Sequence, residues 1–141
     1  PTHTLSLHDA LPICRLVGRT TLGAADVHRW FDDTIGLTGD WRKPGPVFAI
    51  PFGSLRAVGT ANLLAVGRCM SVDNSAWDAL RAIPPCTVTG QAAGTAAAMA
   101  CEDGRADTDA ISCRDLRRRL EDQGALLSRD LVAEGRAGSE H

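Results

Sequence analysis

Tyrosine is absent from the 141 residues, and only three Phe and three Trp supply aromatic rings. The apolar content, 44% of the chain, is therefore carried mostly by Ala, Leu, Val and Ile. Small side chains pack closely but bury little area each. At about 25 cal/mol per Å² of apolar surface, such a core stabilises a lone domain weakly and does better pressed against more protein. An excess of charge is missing as well: 15 Lys and Arg face 17 Asp and Glu, for a net charge of −2. With no basic stripe, nucleic acid is not an expected partner. Long hydrophobic runs are also lacking. The best candidate span, residues 82–101, holds Pro84, Pro85, Thr87, Thr89 and Gln91, and a spanning helix needs about 20 predominantly apolar residues. No membrane is expected.

Several chemical signatures are absent. Cys14, Cys69, Cys86, Cys101 and Cys113 include no CxxC pair, and none of the last four has a nearby His. No metal site is expected from them. They read as reduced thiols of a cytoplasmic protein, with Cys69 and Cys86 as buried small hydrophobes. No GxSxG occurs, and His3, His8 and His28 have no evident nucleophile partner, so a hydrolase is disfavoured. GQAAGT lacks the lysine of a phosphate loop. GxGxxG, whose turn lets a backbone approach a dinucleotide pyrophosphate, occurs nowhere.

The chain opens at Pro1, and residues 1–13 read as a translated sequencing-adapter remnant, set apart from fold reasoning. RLVGR, residues 15–19, is a short β-like run. Ala24, Val27, Trp30, Phe31 and Ile35 recur at helical spacing, with Gly36 and Gly39 as terminators. Residues 40–46 contain Pro44-Gly45-Pro46, a strong turn signal. VFAIPFGSL (47–55) reads as a strand interrupted by Pro51, hence an edge or a kink. NLLAVG (62–67) is a continuous apolar run ending in Gly, the pattern of a parallel strand covered on both faces. The polar stretch 71–85 reads as loop, its two prolines favouring a helix that starts after them. TGQAAGTAAAMACEDG reads as that helix. Ser112 and Asp115 form a capping-box-like pair before the stripe Leu116 and Leu120, and Gly124 is a suitable C′ residue. Arg117, Arg118 and Arg119 read as a solvated face, and residues 128–141 as a fraying tail.

The chemistry concentrates between residues 62 and 102. A helix start leaves about four amide N–H groups unpaired and carries roughly half a positive charge. Gly90, Ala92, Ala93 and Gly94 keep the surface bare there, so a planar or anionic group can approach the backbone. That reasoning alone does not choose flavin over phosphate.

GRCMSVDNSAWDALRAIPPCTVTGQAAGTAAAMA resembles the C-terminal signature of the FAD-dependent oxidoreductase family that includes the heterodisulfide reductase A-like flavoproteins. The resemblance extends over residues 15–127. It implies an α/β fold: the C-terminal part of a doubly wound, Rossmann-like FAD-binding domain plus the end of an inserted substrate domain. Residues 14–58 would close the insertion and 59–127 would return to the FAD domain. It further implies FAD as cofactor, a small-molecule substrate, and an N-terminal part of the same polypeptide as partner. Gly67 and Arg68 would lie at the strand end near the ribitol or pyrophosphate. Gly90, Gln91, Ala92 and Gly94 would supply the helix start facing the flavin. Relatives carry 4Fe-4S centres, which the cysteine spacing here does not support.

Two departures stand out. Arg68 occupies a position where many flavoproteins have an acidic residue; it holds a phosphate but cannot accept from a ribose hydroxyl. Residues 72–75 read Val-Asp-Asn-Ser where relatives often carry a His. Arg81 is the remaining candidate catalytic group, with bracing of its loop as the competing role. The expected function is thus an oxidoreductase fragment contributing part of a flavin site and inactive alone. The alternative is a stand-alone, non-enzymatic module built on the small-residue helix.

Overall fold

The structure, a computed structural model, describes residues 15–102, 104 and 107–138. The expected non-native start and Cys14 lie outside them. Its elements are β1 (Thr34–Gly39), β2 (Val47–Pro51), α1 (Trp77–Leu80), α2 (Ile83–Glu102), α3 (Cys113–Asp122) and α4 (Arg129–Gly138). This is a mixed helix-and-strand fold with a two-stranded sheet, compatible with part of an α/β FAD-binding domain.

β1 and β2 pair antiparallel, from Thr34 opposite Pro51 to Gly39 opposite Val47, with an irregularity between Thr34 and Gly36. The helix expected over 24–35 does not form. A 3₁₀ turn covers Ala24–Asp26, and His28 then adopts a left-handed φ of 60° that ends helical continuation. Thr34 Oγ1 accepts from the Phe31 N–H, and Phe52 N donates to the Asp33 carbonyl, which turns the chain into the hairpin. Gly36 and Gly39 therefore lie within a strand. At Gly36 the absent Cβ matters: one built there would stand 2.0 Å from Val88 Cγ1. The glycine lets α2 lie directly on the sheet.

β2 ends at Pro51 and passes into a 3₁₀ turn at Phe52–Ser54, as a proline-interrupted strand should. The run 62–67 forms no doubly covered strand. It makes one antiparallel bridge, Leu64 to Arg56, and donates Ala65 N to the Leu55 carbonyl at 2.9 Å. Leu63 and Val66 remain exposed. A buried strand needs partners on both edges, and among the described residues this run has only that short antiparallel contact with 55–56.

α2 also departs from expectation. It starts at Ile83, so Pro84 and Pro85 sit inside its first turn instead of before it. Proline is tolerated there because first-turn amides have no intrahelical acceptor. Pro85, Thr89, Ala92, Ala96 and Ala100 form its buried stripe. These small residues pack against a core built from Leu22, Ile35, Ile50, Phe52, Leu55, Met70, Leu80, Leu116 and Leu120.

α3 begins as the sequence indicates. Ser112 accepts from the Asp115 N–H at its N-cap, Leu116 and Leu120 are buried, and Gly124 takes φ 88° after the helix. Of Arg117, Arg118 and Arg119, the last two are exposed, as expected, and Arg117 is half-buried. Arg117 donates to the Thr34 and Asp32 carbonyls and lies over the Trp30 ring, while Arg119 bonds Glu102 with both terminal nitrogens. They fasten α3 to the hairpin and to α2. Beyond Leu127 the chain forms α4 instead of fraying: it packs on β2 and buries Val132.

Candidate functional site

Roughly a third of a turn round from its buried stripe, α2 carries a strip of small residues. Gly90 with Gly94 and Ala93 with Ala97 are each four residues apart, two neighbouring rows on one side of the helix. A Cβ placed on Gly90 or Gly94 would meet nothing within 4 Å. Facing this strip are Asn62, Leu63, Leu64, Val66 and Thr108, and together they enclose an open groove of about 460 Å³. Its walls are mostly apolar, with Asn62 and Thr108 as the polar side chains. A flat ring can reach van der Waals contact with the helix backbone there, because no side chain intervenes.

The helix start lies elsewhere. Seven residues separate Ile83 from Gly90, about 10 Å along the axis. The amides of Gly90–Gly94 are therefore interior to the helix, where i→i−4 bonding consumes them. The free donors expected from these residues belong instead to the turn at Ile83. Even there they are few. Pro84 and Pro85 carry no N–H, and Cys86 N already donates to the Ala82 carbonyl at 3.4 Å. What remains is the helix dipole, reinforced by side-chain cations.

Two arginines stand at this end. Arg68 is exposed, and its Nε donates to the Arg81 carbonyl at 3.2 Å. Arg81 itself donates Nε to Asp78 at 3.1 Å. Arg81 thus pairs with a carboxylate of its own short helix, and its carbonyl receives Arg68. Arg68 has no carboxylate partner among the described residues, so it is the cation left to meet an anion. Ordinary screening applies to so exposed a group.

Gly67 joins the two regions. It opens the 3₁₀ turn Gly67–Cys69 with φ 60°, and a Cβ on it would come within 3.2 Å of Cys86 Sγ. A side-chain-bearing residue would be strained there and would crowd the first turn of α2. The Gly67 N–H donates to Thr89 Oγ1 at 2.9 Å, and Thr89 Oγ1 donates in turn to the Pro85 carbonyl at 2.8 Å.

The sequence-derived site residues thus divide. Gly90 and Gly94 line the groove, and Gly67 with Arg68 adjoins the start of α2. Gln91 and Ala92 turn away: Gln91 Nε2 donates to Gln123 Oε1 at 3.1 Å, and Ala92 is fully buried in the core. Ala97 and Thr89 were not singled out from sequence. The helical period carries the bare strip on to Ala97, whereas no local signal marks Thr89.

The cysteines also diverge from expectation. Cys69 and Cys101 are exposed, while Cys86 and Cys113 are half-buried. Burial pushes the Cys113 thiol up, against the opposing attraction of Arg56. Among the described residues, no three His, Cys, Asp or Glu side chains are grouped to hold a metal ion. No helix among them is long and apolar enough to cross a membrane.

The profile of the FAD dependent oxidoreductase family matches residues 14–120, three quarters of the chain. The protein belongs to that family. No curated protein and no solved structure matches it.

Proposed function

We propose that this chain is the C-terminal, cofactor-contacting portion of a flavin-dependent oxidoreductase of the heterodisulfide reductase A-like branch. The observation that carries the reading is the strip Gly90, Ala93, Gly94 and Ala97, open along a mostly apolar groove at the middle of a 20-residue helix whose start lies about 10 Å away. In this reading the strip lies against the flat face of the cofactor. Arg68 and the positive end of α2 hold its anionic part, and Gly67 lets the two elements meet. Because Gln91 and Ala92 face other parts of the protein, the contacts fall to Gly67, Arg68, Gly90 and Gly94.

When bound, the flavin supplies the hydride and electron chemistry. The chain's own contribution is to bind, to exclude water along an apolar wall, and to set a positive potential at one end. Such a potential favours electron-rich groups by typically about 0.3–1 kcal/mol at exposed helix starts. Arg81 braces this end and touches no reacting group.

The remainder of the flavin site belongs, on this reading, to an N-terminal part of the same polypeptide. Apolar side chains left at the surface support it: Val17 is 75% exposed and Val58 59%, alongside Leu63 and Val66 on the groove rim. Residues 14–58 then close a substrate domain and 59–127 complete the FAD domain, with a small molecule as substrate. The test is a titration of FAD fluorescence with the 141-residue chain. Quenching that saturates supports the reading, and fluorescence unchanged at the highest protein concentration overturns it.

A further inference from the structure

The flavin reading requires two elements to keep a fixed separation: the Gly67–Arg68 turn and the start of α2. Each is weakly held by itself. The turn is three residues of 3₁₀ helix with no side-chain cap, and the helix start has lost two of its donors to proline. One side chain connects them. Thr89 is fully buried, and its Oγ1 lies 2.9 Å from Gly67 N, 2.8 Å from the Pro85 carbonyl and 3.2 Å from the Cys86 carbonyl.

The residue type fits the task. A hydroxyl both donates and accepts. Thr89 accepts from the turn while donating back to the first turn of its own helix, so one atom fixes both. Here the i−4 carbonyl that Thr89 bonds is that of Pro85, in the first turn of the helix. Valine has the same shape and neither function. It would leave the Gly67 N–H facing a buried, apolar methyl group.

We propose that Thr89 is a positioning residue of the flavin site: its buried hydroxyl clasps the Gly67–Arg68 turn to the first turn of α2 and so aligns Arg68 with the groove. Thr89 lies on the buried stripe of α2, next to the groove strip and outside the groove lining. It acts through Gly67 and Pro85. The inference rests on the flavin reading above.

The experiment compares the full ¹⁵N-labelled chain with Thr89→Val and Thr89→Ser, following Gly67 amide exchange, FAD affinity by chemical-shift titration, and melting temperature. Loss of the acceptor in Thr89→Val is expected to speed Gly67 exchange and weaken FAD binding, each by about tenfold. Thr89→Ser is expected to restore both. If Thr89→Val does not fold, Thr89→Cys, similar in bulk but a poor acceptor, takes its place in the comparison. Wild-type binding of FAD with undiminished binding by Thr89→Val overturns the inference alone. Affinity that falls equally in Thr89→Ser does the same, because the hydroxyl would then be irrelevant. A wild-type chain that leaves FAD unbound overturns the flavin reading, and this inference with it.

Discussion

Replacing Gly90 and Gly94 together by alanine separates the demands of the fold from those of the groove. Both glycines sit in the interior of α2, where glycine is less favourable than alanine by roughly 0.5–1 kcal/mol. Neither has an atom within 4 Å of the position a Cβ would take, so the added methyl groups meet no obstacle. The double variant should therefore be more stable by about 1–2 kcal/mol, raising the melting temperature by roughly 4 °C per kcal/mol for a chain of this size. Circular dichroism at the helix band measures that shift. The same methyl groups project into the groove that the flavin reading assigns to the cofactor face. FAD binding should weaken while stability rises, and Gly94→Leu should weaken it further. Opposite signs for the two quantities are the signature of a surface kept bare for a ligand. A double variant that melts earlier than wild type would show that the strip is already packed. One that gains stability and binds FAD unchanged would remove the groove from the site.

Other consequences follow from the fold itself. Gly36→Ala places a Cβ at 2.0 Å from Val88 Cγ1 and should cost about 1–3 kcal/mol by overpacking, read from a urea midpoint. The Asp40 carboxylate, bonded to Arg42 Nε at 2.8 Å and Nη2 at 2.7 Å, is held below its ordinary 3.8 chiefly by that guanidinium. A lowered folded-state value means this pair stabilises the protein at neutral pH and loses its contribution as pH falls below 3.8. Acid denaturation of Asp40→Asn should accordingly be shallower than that of wild type in this range. Among the four described thiols, Cys69 and Cys101 should be alkylated first and Cys113 last, since burial hinders Cys113 and raises its titration. Mass spectrometry of a timed reaction with iodoacetamide gives the order.

What the sequence discloses depends on how local each decision is. α3 was legible throughout: the Ser112 cap, the stripe Leu116 and Leu120, and the left-handed Gly124 are all set by neighbours within one or two turns. β2 was legible for the same reason, with Pro51 as its terminator. The hairpin strand β1 was not. Its residues match a helical spacing by coincidence, and pairing with the next strand, Val47–Pro51, across the 40–46 turn overrides that pattern. The run 62–67 failed in the opposite direction, because an apolar strand is completed only by partners on its edges. For α2, reading proline as a breaker displaced the helix start by about two turns, and with it the supposed anion-binding amides. The bare strip survived that error, since small residues at helical spacing stay on one face wherever the helix begins. Thr89 could not be found in this way. Its importance comes from Gly67, 22 residues earlier in the chain.

The central claim, that α2 and the Gly67–Arg68 turn form part of a flavin site, is tested most directly by amide shift mapping. FAD added to the ¹⁵N-labelled chain should perturb Val66, Gly67, Arg68, Gly90 and Gly94, and leave α4 unmoved. Perturbations confined to the cleft of His28, Arg42 and Lys43 on the hairpin side, or no perturbation at all, would contradict the account.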